Sequence, residues 1–159
     1  MGGYELLKAV GYWRSNDGSE VGHKSELPDP RWLVRRGWRS RERRQILAYL
    51  RSGREYKRYA GYSYCRFWIC WTPLRFMGDS DLTDGVWVWP EGLAHYVQRH
   101  WVRLPEEFID TMQANGWQVP QDAVFWRPGE GKVHYDLSFW VAWSRHQQRR
   151  PWYLCWCMR

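Results

Sequence analysis

Apolar positions change their period several times along the chain, and each change marks an element. Val86-Trp87-Val88-Trp89 is a short β-type run entered from the turn pair Asp84-Gly85. Pro90 stands where a first helical residue tolerates a missing N–H, and Leu93, Tyr96, Val97 and Trp101 then recur at helical spacing. Glu91, His95 and Arg99 fall on the more polar side. A strand therefore runs directly into a helix over 90–101. A second helix is predicted over 40–52, with Ser40 as N-cap, Ile46, Leu47 and Leu50 as the stripe and Gly53 as the stop. Its Arg41, Arg44 and Arg51 lie off that stripe. A third, over 105–115, opens on Pro105-Glu106-Glu107, where acids suit the helix dipole, buries Phe108, Ile109 and Met112, and ends at Asn115-Gly116.

The remaining apolar runs read as β. Residues 4–13 begin as a strand; 56–71 is aromatic and β-forming with Gly61 inside, giving two strands or one bent strand. Residues 77–81 form a loop. From 133 to 143, Val133, Tyr135, Leu137, Phe139 and Val141 alternate as a late strand would. The apolar end, 151–159, is expected to be docked or covered. The result is one α+β domain over 1–159, with a small, mainly antiparallel sheet and three helices.

The stretch 83–100 (TDGVWVWPEGLAHYVQRH), with Tyr62-Ser63-Tyr64-Cys65-Arg66-Phe67 before it and Val102-Arg103-Leu104-Pro105-Glu106-Glu107-Phe108 after it, resembles a family of small, uncharacterised bacterial proteins. The resemblance covers roughly residues 28–108. It implies a single cytoplasmic bacterial domain and carries no activity, substrate or cofactor with it.

Composition adds two facts. Tryptophan numbers 14, more rings than a core of 159 residues needs, so some should face a partner. Charge is concentrated: residues 31–58 hold eleven basic side chains against Glu42 and Glu55, a net +9 within a chain of +7. Arginine carries it, 20 against 4 lysines, which suits forked recognition of phosphates, carboxylates and aromatic faces. No window approaches the apolar length of a membrane span and the first residues lack a signal-peptide pattern, so a cytoplasmic protein is expected. Four cysteines, at 65, 70, 155 and 157, fit reduced thiols better than a disulfide framework.

Candidate chemistry is sparse. His95 and His100 are five apart, about 140° around a helix, which rules out an HExxH pair. Cys65 and Cys70 on one strand would point to opposite faces, so a site joining them to Cys155 and Cys157 would need a bend. We therefore expect no metal, no cofactor, and no change of fold on chelation. Gly129-Glu130-Gly131-Lys132 lacks the spacing of a phosphate-binding loop. Asp84, Glu91 and His95 are the acid–base candidates; Glu91 and His95, four apart, would serve a hydrolase if they met. An exposed Glu–His pair without a role is the simpler reading. The surface favours a non-enzymatic binding protein that recognises a protein partner through Arg36, Trp38, Arg41, Arg44, Arg51, Arg54 and Tyr59. A nucleic-acid-binding module using 31–58 is the alternative, since arginine mixed with tyrosine also suits single strands.

Overall fold

Trp87, Val88 and Trp89 send alternate side chains to opposite faces of a sheet, and this alternation divides the molecule into two layers. A computed structural model describes residues 6–16, 26–121 and 135–148. Five strands lie in the order β2-β3-β4-β1-β5: β1 Leu7–Ala9, β2 Arg54–Arg58, β3 Ser80–Thr83, β4 Trp87–Pro90 and β5 Tyr135–Asp136. β2, β3 and β4 are antiparallel neighbours, whereas β1 runs parallel to both β4 and β5. The sheet is thus mixed, correcting the mainly antiparallel expectation. Parallel pairing joins residues distant in sequence, and no local pattern announces it.

Among the described residues four α-helices accompany the sheet: α1 Arg43–Arg51, α2 Leu93–His100, α3 Glu106–Ala114 and α4 Ser138–Gln148. The first three carry most of the predicted stripes, with Ile46, Leu47 and Leu50, Leu93, Tyr96 and Val97, and Phe108, Ile109 and Met112 all buried. Trp101, however, falls past the end of α2 and is half-buried, Pro90 ends β4 instead of opening α2, and α1 begins after Glu42 and not after a Ser40 cap. All four helices contribute to one core with Trp87 and Trp89. The indole of Trp87 donates to Thr111 of α3 at 2.9 Å, and that of Trp89 to the Leu50 carbonyl at the end of α1 at 3.0 Å. Val88 faces the other way, into a smaller cluster with Leu7, Ala9 and Tyr56.

Three further readings change. α4 replaces most of the late strand: Asp136 accepts from the Ser138 N–H (2.8 Å) and hydroxyl (2.7 Å), an Asx turn that leads the chain into the helix. Its buried residues are Trp140, Val141 and Ser144, a helical spacing. The aromatic run 56–71 supplies only the end of β2; its remainder is irregular chain. Within 77–81, Ser80 and Asp81 belong to β3. Gly53 follows the Ser52 C-cap of α1 and is glycine for a reason of space: a Cβ there would lie 2.6 Å from the Trp89 ring and 2.7 Å from Leu82. Residues 122–134 and 149–159 lie outside the described residues, and with them Gly129-Glu130-Gly131-Lys132, Cys155, Cys157 and the apolar end.

The stripe of α1 makes a direct prediction. Leu50 is fully buried and Arg44 exposed, so Leu50→Ala should cost about 2–5 kcal/mol and Arg44→Ala less than about 0.5 kcal/mol in urea unfolding. Equal, small losses would mean that the helix faces another way.

Candidate metal centre

Between β2 and β3 the chain makes an excursion over 59–79 that contains one short 3-10 turn, Leu74–Phe76, and no strand. Two anchors hold it to α2. The Arg66 N–H donates to Tyr96 Oη at 2.9 Å, and Phe67 stacks face to face on His100, with ring centroids 3.8 Å apart and planes within 1°. This places Cys65 Sγ 3.3 Å from His100 Nε2 and Cys70 Sγ 3.4 Å from His95 Nε2. The Cys70 N–H donates to the Phe67 carbonyl at 3.1 Å, a tight turn that brings both thiols to the same side. One donor atom from each of Cys65, Cys70, His95 and His100 lies within 4.8 Å of the others.

That spacing fits a metal ion. Tetrahedral zinc, at about 2.3 Å from sulfur and 2.0–2.1 Å from nitrogen, needs donor atoms roughly 3.3–3.8 Å apart. The two sulfur–nitrogen pairs already meet this, and a small inward movement closes the rest. Electrostatics suits ligation as well. Burial, with the neighbouring His95 and then Arg99, pushes the His100 imidazole down to about 4, and burial with Arg99 lowers His95. Both rings are therefore neutral at pH 7, with a lone pair for a cation. Burial pushes the Cys65 thiol up to about 11 despite an N–H from Phe67, with Cys70 raising it further. A divalent cation reverses that balance, since a coordinated thiol loses its proton. The Thr72 hydroxyl lies 3.1 Å from Cys70 Sγ, where it can donate to a thiolate.

The sequence reading expected no metal, and its geometric premises do not hold. His95 and His100 stand five apart on α2, yet their ring centroids are 5.1 Å apart, because His100 is the last helical residue and both rings lean toward the thiols. Cys65 and Cys70 are on a turn, not a strand. The available signal was C-x4-C followed by H-x4-H, within the range of zinc-site spacings; the 24 residues between the pairs, longer than in a zinc finger, concealed it.

The acid–base candidates are not assembled. Asp84 is buried and fully occupied: it accepts from Tyr49 Oη (2.7 Å) and from the N–H groups of Val86 (2.9 Å) and Trp87 (2.7 Å), closing the β3–β4 turn. Glu91 accepts from the Asp79 N–H at 3.2 Å, while His95 turns to Cys70.

The predicted partner-binding residues divide. Trp38 packs partly against the core, Arg51 donates to the Gln98 side chain (2.5 Å), Arg54 to the Gln121 carbonyl (2.5 Å) and Tyr59 to Asp81 (2.7 Å). Arg36, Arg41 and Arg44 are exposed, with no hydrogen bond or ion pair among the described residues. Arg44 lines a depression beside the metal centre with Arg43, His95 and Arg99. What the sequence reading missed is the exposed apolar rim of the cysteine loop: Trp68, Ile69 and Trp71 are 77%, 88% and 92% exposed, and Leu74 and Phe76 are also exposed. Among the described residues no helix is long and apolar enough to cross a membrane. No family model, no curated protein and no solved structure matches the chain.

Proposed function

We propose that the chain is a non-enzymatic, cytoplasmic, zinc-clipped binding protein that meets a protein partner through the loop its cysteines anchor. The observation that carries this reading is the convergence of Cys65, Cys70, His95 and His100 under a loop whose Trp68, Ile69 and Trp71 face solvent. Four protein donors close the coordination sphere, leaving no position for a substrate, so the ion holds structure. Large apolar side chains gain nothing by standing in water. Grouped on one loop beside Arg43, Arg44 and Arg99, they form the aromatic-and-arginine composition of an interface centre. Free thiols at Cys65 and Cys70 suit a reducing compartment.

Trp71→Ala tests this directly. It should leave zinc content and melting temperature unchanged while weakening capture of a defined partner from host extract by about 2 kcal/mol or more, roughly thirtyfold. Full retention of binding by Trp71→Ala and Trp68→Ala together would remove the loop from the interface.

Nucleic acid is the second reading, favoured by the arginine-lined depression beside the metal centre. It predicts affinity falling with salt at a log–log slope of about −0.7 to −0.9 per neutralised phosphate, flattened by charge reversal at Arg41, Arg44 and Arg51. A protein partner predicts weak salt dependence and dominance by one or two aromatic anchors.

A further inference from the structure

Where the chain after β1 (Gly11, Tyr12, Trp13) meets β3 and the start of the 59–79 excursion lies a cleft of about 360 Å³ that none of the four candidate ligands lines. Its polar centre is Asp81 of β3, only 3% exposed. Around it stand Tyr12, Tyr59, Tyr135, Trp13 and Tyr96. Tyr59 Oη donates to Asp81 Oδ2 at 2.7 Å, and Tyr12 and Tyr135 stack at 5.3 Å.

This carboxylate lacks a countercharge. No Arg, Lys or His among the described residues forms an ion pair with it. Lys57, whose charge acts on it, rests its amine over the Tyr59 ring at 4.7 Å, and Arg66, which also lines the cleft, turns its guanidinium to the Tyr64 ring at 3.8 Å. Burial therefore raises the Asp81 pKa against the pull of Tyr59, Tyr12 and Lys57. Buried charges in proteins are paired or coordinate a cation, because leaving one alone costs several kcal/mol. Tyr12 Oη is buried and directed at Asp81 without making a hydrogen bond of good geometry, and the indole N–H of Trp13, itself more than nine-tenths buried, has no acceptor. Aromatic faces, a single buried carboxylate and a volume at the small end of ligand sites together describe the complement of a small cation with N–H donors.

We propose that this cleft binds a small free molecule bearing a protonated primary amine, with the ammonium on Asp81 and its carbon chain against the tyrosine and tryptophan rings. An amine, unlike a quaternary ammonium, donates to Asp81 and to Tyr12 Oη at once. Its carbon body accounts for the ring lining, and a bare metal ion would not. The Trp13 N–H offers one donor to a hydroxyl or carbonyl elsewhere on the ligand.

The test titrates the full-length, zinc-loaded protein with n-butylamine and, separately, n-butanol, following the indole resonance of Trp13 by NMR. Saturable binding of the amine and none of the alcohol is expected. Asp81→Asn keeps the shape of the side chain and an oxygen for Tyr59, so it should fold, hold the same zinc and bind the amine at least about thirtyfold more weakly. Tyr59→Phe should weaken binding less, because the carboxylate remains. Equal binding of amine and alcohol, no saturation by either, or undiminished affinity in Asp81→Asn would each overturn the proposal. Zinc content measured in the same samples separates its failure from failure of the metal centre.

Discussion

Cys65→Ser should abolish stoichiometric zinc and release the cysteine loop while leaving the main core assembled. The protein purified under reducing conditions should carry one zinc per chain by elemental analysis, and the variant well under one. Structural zinc in small peptides is worth about 10–16 kcal/mol of apparent binding free energy, because there the metal replaces an absent core. Here Trp87, Trp89, Leu50 and Phe108 are buried independently of the site, so only ordering of the loop depends on the ion. A loss of several kcal/mol, or a melting point lower by about 5–15 °C, is the expected scale. Hydrogen exchange should rise over the loop and the end of α2, and little in α1 or α3. Protonation should act in the same direction. The His100 pKa in the metal-free fold, about 4, lies below that of an unfolded histidine near 6.5, so stability that is full above about pH 6.5 should decline toward pH 4 as the buried ring is forced to charge. A wild-type protein that contains no metal and melts identically with and without chelator would dispose of the centre.

Trp89→Ala should be the most damaging single change in the core. The ring is fully buried, packs on Tyr49 and Phe108 at centroid distances of 6.1 and 5.3 Å, and donates to the Leu50 carbonyl where α1 ends. Its removal leaves a cavity between helix and sheet and takes a donor from a buried carbonyl, for a cost of about 3–5 kcal/mol, comparable with the whole stability of many domains. Trp89→Phe separates the contributions: it keeps most of the volume, so its cost, about 1–3 kcal/mol, reports the hydrogen bond and the smaller ring. If urea midpoints for the two variants coincide, the cavity is not the main cause.

Legibility followed range. α1, α2, α3 and β4 were readable because their signals are local: Ile46 and Leu50, or Tyr96 and Val97, lie within one or two turns of each other. α4 was misread because Tyr135, Leu137, Phe139 and Val141 alternate, and aromatic residues favour strands, whereas the Asx turn of Asp136 onto Ser138 leads into a helix that buries Trp140, Val141 and Ser144. The pairing of β1 with β4 and β5 depends on contacts across about 80 and 128 residues, which periodicity does not see. The candidate metal centre was legible in principle, since each cysteine and histidine pair has metal-site spacing, but their convergence depends on the turn at Phe67 and on the αL conformation of Trp101 (φ 56°) that ends α2 just past His100. The apolar rim of the loop looked like strand because Trp and Ile favour β structure, and sequence alone does not distinguish burial in a sheet from display on a loop.

The position of β1 also sets an order of events during synthesis. Among the described strands it is the earliest in sequence and an interior one in the sheet, with β4 on one side and β5 on the other. Its first neighbour emerges only after about 80 more residues and its second after about 128. The β2-β3-β4 meander, whose pairings are short in sequence, can close while β1 still waits with both edges open. Capture of β1 should therefore be the slow step, and in refolding the meander should gain protection from exchange before Lys8 and Val10, whose N–H groups bond to the Val86 and Val88 carbonyls.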